Sequence, residues 1–122
     1  MANSSNSKKY DLEDRTLQFA KDVRAFVKRL KKTIGNIEDG KQLVRSSGSV
    51  GANYIEANEA LSQKDFLMRV KISRKEAKES RYWLRLIDDG LQEELIKNKE
   101  LLIQESTELI NILSSLINKY NN

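Results

Sequence analysis

Apolar residues recur at steps of three and four along most of the chain, the spacing that lines one face of an α-helix. A first helix is predicted over about 12–34, with Ala20, Val23, Val27, Leu30 and Ile34 on its inner face. A second, over about 37–61, carries Leu43, Ser47, Val50, Tyr54, Ala57 and Leu61. The third, over about 63–89, has the stripe Phe66, Val70, Ser73, Ala77, Ser80, Leu84, Ile87 and Leu91, small in the middle and large at both ends. Punctuation agrees with this division. Gly35 and Gly90 each follow an apolar stretch, where glycine often closes a helix. Asp11-x-x-Asp14, Asn36-x-x-Asp39 and Ser62-x-x-Asp65 each set a capping residue three before a carboxylate.

The last segment carries a repeat that the others lack. Leu-Ile recurs at strict sevens, as Leu95-Ile96, Leu102-Ile103, Leu109-Ile110 and Leu116-Ile117, with Leu113 between the last two pairs. Two adjacent apolar columns make a wider face than one bundle core requires. Either three neighbours bury this helix centrally, or one column packs the core and the other meets a second subunit. Its start is open, because Asn98 could act as a late cap. Helices of about 25 residues reach roughly 35–40 Å, and short connections make neighbours antiparallel. The pattern therefore predicts an all-α, antiparallel up-down-up-down four-helix bundle over residues 11–120, after a polar, disordered N-terminal tail at 1–10.

Composition narrows function more than fold. The 122 residues include no Cys and no His, which excludes thiolate nucleophiles, Cys-ligated metals, Ser–His triads and imidazole bases. Pro is absent and Gly numbers only 5, which argues against turn-rich β architectures. No apolar run approaches the ~20 residues of a membrane span, and no secretory h-region opens the chain. A cytoplasmic location is expected. Net charge is only +4, from 22 Lys and Arg against 18 Asp and Glu.

The segment from Arg45 to Tyr54 is rich in Gly and Ser. It matches neither a P-loop, which needs G-x-x-x-x-G-K-[ST] after a strand, nor a KH clamp, which needs a sheet. The structural reading sets Ser47, Gly48, Gly51 and Ala52 against the small middle of the third helix. Two mid-helix glycines cost about 1 kcal/mol each relative to alanine, so a close contact must offset them. On that reading Gly48→Leu unfolds the protein or changes its assembly.

Carboxylates raise the question of catalysis. Glu56, Glu76 and Glu79 could converge as an acid–base or metal-binding group. They could equally belong to a structural network with Arg45, Asn53 and Lys75. A small unbroken bundle rarely offers the pocket that catalysis needs, so the network is preferred and no enzyme or cofactor is expected.

The charges are more informative in arrangement than in sum. Lys71, Arg74, Lys78, Arg81 and Arg85 follow steps of three and four, making one basic ridge along the third helix. Lys21, Arg24, Lys28 and Lys31 repeat the pattern on the first. Like charges at this spacing repel by a few tenths of a kcal/mol per pair, roughly. Acidic neighbours such as Glu93, Glu94, Glu100, Glu105 and Glu108 could compensate them; so could the phosphates of a polyanion. No aromatic or glycine code for reading bases accompanies the ridges, so such binding would be led by shape and charge.

Two stretches carry a family resemblance. Gln42-Leu43-Val44-Arg45-Ser46-Ser47-Gly48-Ser49-Val50-Gly51-Ala52-Asn53-Tyr54-Ile55-Glu56-Ala57 and Lys71-Ile72-Ser73-Arg74-Lys75-Glu76-Ala77-Lys78-Glu79-Ser80-Arg81-Tyr82-Trp83-Leu84 closely resemble the bacterial four helix bundle proteins encoded in intervening sequences of 23S rRNA genes. That family is in turn similar to the accessory variability proteins of diversity-generating retroelements. The resemblance spans about residues 12–118. It implies an antiparallel bundle assembled as a ring-like homopentamer, a basic surface able to engage RNA and, by the retroelement relatives, a reverse transcriptase partner. It implies no catalytic role for any residue. The expectation is a non-enzymatic homo-oligomer that binds structured RNA or a nucleoprotein through its ridges. The alternative is a protein-interaction scaffold with no nucleic-acid role.

Overall fold

The apolar stripes fold into four helices among the described residues: α1 (Ser4–Lys28), α2 (Ile34–Asn58), α3 (Gln63–Leu86) and α4 (Glu93–Asn121). This computed structural model describes residues 4–121, and the side chains of residues 12–120. No strand occurs among them, so the chain is all-α. α1 already runs from Ser4, through most of the segment expected as a tail, and residues 1–3 lie outside the described residues. Asp11 and Asp14, expected at a helix start, therefore fall inside α1.

The first turn departs most from the expected boundaries. α1 stops at Lys28, and Thr33 caps α2 from an extended conformation (φ −88°, ψ 164°), its hydroxyl accepting the Asn36 N–H at 3.1 Å. Gly35 is thus not a stop but part of the first turn of α2, where N–H groups have no intrahelical partner anyway. Ile34, expected in the core, is 86% exposed. Asn36 is not the cap either. It is buried, and its amide donates to the Lys31 and Asp88 carbonyl oxygens while accepting the Asp88 N–H, each at 3.0 Å. One side chain so ties the α1–α2 turn to the α3–α4 turn.

Ser62 caps α3 as its spacing predicts, accepting the Asp65 N–H at 3.1 Å. α3 ends at Leu86, before Gly90, and the turn then passes through two left-handed residues, Gly90 (φ 65°) and Leu91 (φ 58°). The Asp88 and Asp89 carboxylates hold it by accepting the N–H groups of Gly90 and Leu91. Leu91 is exposed instead of closing the α3 stripe, and Leu61 at the end of the α2 stripe is exposed too. α4 begins at Glu93 rather than Asn98, with Glu93 and Glu94 in its first turn, where negative charge complements the helix dipole.

Each helix packs against two others. α1 neighbours α2 and α4, α3 neighbours α2 and α4, and the backbones of the diagonal pairs stay apart among the described residues. The core joins Phe19, Val23 and Phe26 of α1, Leu43 and Val50 of α2, and Val70 and Leu84 of α3 to α4. Leu95, Leu102, Leu109 and Leu113 of α4 are buried, and so are Ile110 and Ile117 of its second column. Ile103 is half-buried and packs against the same core. The chain's own core therefore takes up much of the wide face of α4. No helix among the described residues is long and apolar enough to cross a membrane.

Candidate nucleic-acid interface

The α3 ridge lies along the seam with α4. Arg74 and Arg81, seven residues apart and half-buried, donate to the hydroxyls of Ser114 and Thr107, also seven apart, each at 3.2 Å. Lys71, Lys78 and Arg85 alternate with them and are exposed. The two arginines are therefore anchored by neutral hydroxyls, which fix their position while leaving their charge uncompensated.

The α1 ridge is exposed at Lys21, Arg24, Lys28 and Lys31, but Lys31, expected on the helix, lies in the loop after α1. Lys21 and Arg24 line a groove between α1 and α2 that also includes Gly48, Gly51 and Ala52. Because α1 and α3 stand diagonally, the α1–α2 groove and the α3–α4 seam lie on opposite sides of the chain. The two ridges form separate strips.

None of the nine ridge cations lies within 4 Å of a carboxylate among the described residues, and three of the five acids expected to compensate them pair with other cations. Glu105 and Glu108 both grip Arg15, at 2.6 and 2.7 Å. Glu94 pairs with Arg29 at 2.8 Å, and Asp89 with Lys99 at 3.5 Å. The Glu105 carboxylate, followed by Glu108, holds the Arg15 guanidinium above its already high ordinary pKa, against the opposing effect of burial. Hydrogen bonds from Gln104 and then Arg15 hold the Glu108 carboxyl below its usual value.

The expected polar network forms in two pieces. Arg45 stands 3.9 Å from Glu79. More than two turns further along, Arg69 donates to Asn53 Oδ1 at 3.3 Å and pairs with Glu56 at 3.7 Å, while Asn53 donates back to the Ser49 carbonyl oxygen at 2.9 Å. Lys75 is exposed and belongs to neither piece. Glu76 is buried, and its Oε1 has no hydrogen-bond partner. The three glutamates are thus distributed, not convergent, and among the described residues no cluster of acids could hold a metal ion. Arg69 and Arg15, the cations that organise these contacts, were not among the expected residues. Glu105 and Glu108, three apart beside the core residue Leu109, were the one available signal for Arg15.

The Gly-Ser segment divides its work between two faces. Toward α3, Ser46 and Ser80 share a 2.9 Å hydroxyl contact, and Ser73 of α3 donates to the Val50 carbonyl oxygen at 2.7 Å. Its glycines meet α1 instead, contrary to expectation. A Cβ at Gly51 would stand 2.8 Å from Thr16 Oγ1, and one at Gly48 would stand 3.5 Å from the Arg24 guanidinium. The small middle of α3 is therefore matched by serine and backbone, and the glycines admit α1.

These features define a small all-α bundle with two uncompensated basic strips. The chain belongs to the family of 23S rRNA-intervening sequence proteins, whose pattern it matches over residues 8–117. It is similar to a solved structure from Bacteroides thetaiotaomicron VPI-5482, a protein of unknown function from the S23 ribosomal protein family. The two are 34% identical, with 87% of this chain and 97% of that one aligned and a TM-score of 0.71. No curated protein matches the chain.

Proposed function

We propose that this protein is a non-enzymatic, homo-oligomeric, antiparallel four-helix bundle of the cytoplasm that binds structured RNA or a nucleoprotein through its basic ridges. The observation that carries the reading is the unpaired state of all nine ridge cations among the described residues, while neighbouring acids serve Arg15, Arg29 and Lys99. Within each ridge the aligned cations repel one another, and RNA phosphates relieve that repulsion while releasing counterions. Membership of a family associated with 23S rRNA intervening sequences agrees with an RNA ligand. The antiparallel arrangement is supported by contacts between opposite ends: Arg29 near the end of α1 pairs with Glu94 at the start of α4, and Gln63 at the start of α3 donates to the Tyr120 carbonyl oxygen near the end of α4. The missing His and Cys support a role in binding rather than catalysis.

A second reading has its own observation. Met68, Tyr82 and Leu86 are about half exposed on α3, at 49%, 59% and 52%. They follow helical spacing through half-buried Ile72, exposed Lys75 and half-buried Glu79. This stripe suits a protein partner, either another copy in a ring-like pentamer or a reverse transcriptase. Light scattering tests self-association, since a monomer at micromolar concentration contradicts it. Charge reversal tests the RNA reading. Lys71→Glu, Lys78→Glu and Arg85→Glu together change exposed residues that carry no inter-helix bond, so RNA affinity should collapse with the melting temperature unchanged. Undiminished RNA binding by that variant would remove the α3 ridge from the interface.

A further inference from the structure

The α1 ridge ends at a cavity of about 280 Å³ between the last turn of α1, the loop after it and the first turns of α2. Its walls are apolar: Val27 from α1, Leu30 from the turn after it, and Ile37 and Val44 from α2. Gly40 brings the helices together there, for a Cβ at that position would stand 3.1 Å from Val27 Cγ1. Three lysines stand around it, Lys31, Lys32 and Lys41. All three are exposed. Lys41 has an exposed pair with Glu38 at 3.4 Å, whereas Lys31 and Lys32 have no carboxylate within 4 Å among the described residues. The loop bearing Lys31 and Lys32 is held in place, because the Lys31 carbonyl oxygen accepts both the Thr33 N–H and the Asn36 amide at 3.0 Å.

An apolar cavity under a cationic rim selects a ligand with a compact apolar body and an attached anion. The cavity is slightly below the roughly 300–1,000 Å³ of pockets for drug-sized ligands, so one flat ring system suits it better than a whole cofactor. Phosphates tracked by Lys21, Arg24 and Lys28 along about 10 Å of helix would arrive at Lys31 in the loop that follows, at the edge of the cavity. We propose that this cavity receives the unstacked base of a bulged or looped RNA nucleotide, with Lys31, Lys32 and Lys41 on the flanking phosphates. Apolar side chains can sandwich an extruded base, and a base already unpaired costs least to extrude. The proposal rests on the RNA reading and adds the feature of the RNA that would be preferred.

The test uses three RNA hairpins of one sequence: fully paired, carrying a single-nucleotide bulge, and carrying the same bulge made abasic. Equilibrium binding is measured at one fixed salt concentration. The expected result is at least tenfold tighter binding of the bulged hairpin than of the other two. Val44→Phe, which fills the cavity without changing charge, should erase that advantage and leave the paired hairpin's affinity unchanged. Equal affinity for the abasic and base-bearing bulges overturns the cavity proposal, whatever the variant does, while binding of the paired hairpin leaves the RNA reading standing. Failure of all three hairpins to bind overturns both.

Discussion

The guanidinium of Arg24 lies across Gly48: its Nη2 is 3.5 Å from the point a Cβ would occupy, while Nη1 donates to the Ala20 carbonyl oxygen at 3.3 Å. A cation of the α1 ridge and a glycine of the Gly-Ser segment are thus parts of one groove. The next glycine is different in kind. At Gly51 the neighbour is Thr16, itself buried, with a hydroxyl that donates to the Glu13 carbonyl oxygen at 2.9 Å.

Alanine should therefore have opposite effects at the two glycines. At Gly48 the new methyl makes an ordinary contact with a movable side-chain tip, so the variant gains helix propensity and is stabilised by about 1 kcal/mol. At Gly51 the methyl meets a fixed hydroxyl at 2.8 Å, and overpacking costs roughly 1–3 kcal/mol. Thr16→Ala added to Gly51→Ala should restore part of the loss. Urea denaturation of the three variants checks the signs.

Asn36→Ala should be among the more damaging polar substitutions. It removes the partner of the Asp88 carbonyl oxygen and N–H and one of the two donors to the Lys31 carbonyl oxygen, at roughly 1–3 kcal/mol. Hydrogen exchange should show both turns opening together, because the one amide spans them. Exchange that rises in only one turn contradicts the tie.

Leu91 holds a left-handed conformation at φ 58° while 88% exposed. A side chain there brings strain and little burial. Leu91→Gly should stabilise the fold by roughly 1 kcal/mol, the cost of left-handed geometry for an L-residue. A lower melting temperature would contradict that.

The Arg15 clamp predicts a pH dependence of definite sign. Gln104 and Arg15 lower the folded-state pKa of Glu108 from its ordinary 4.5. The stabilisation is therefore complete above about 4.5 and is lost as pH falls through the lower folded value. Arg15 stays charged throughout. Glu108→Gln should melt below the unaltered protein at pH 7, and the difference should vanish once the pH has fallen below the lowered folded-state pKa.

Most of the core was legible because helical spacing is a strong signal. Leu43, Val50, Ser73, Ala77 and Leu84 lie where the stripes put them, and Ser62 caps α3 at the position its spacing marks. The errors cluster at the first turn and on the Gly-Ser segment. Gly35 reads as a stop because glycine often ends helices, yet Thr33, whose extended backbone makes the cap, carries no equally loud signal. Gly48 and Gly51 lie beside Ser46 and Ser47 on the helix surface, so spacing alone cannot say which neighbour each side meets. The ridges were legible as spacing, but their lack of ion pairs depends on where Arg15 and Arg29 draw Glu105, Glu108 and Glu94, three contacts that span 65 to 93 residues.

The salt dependence of RNA binding tests the central claim most directly. Affinity for a structured RNA hairpin should fall linearly on a log–log plot, with a slope of about −3 to −5 if one ridge engages four or five phosphates. A flat salt response, or no mobility shift at the lowest salt tested, would contradict a role for the ridges in binding RNA.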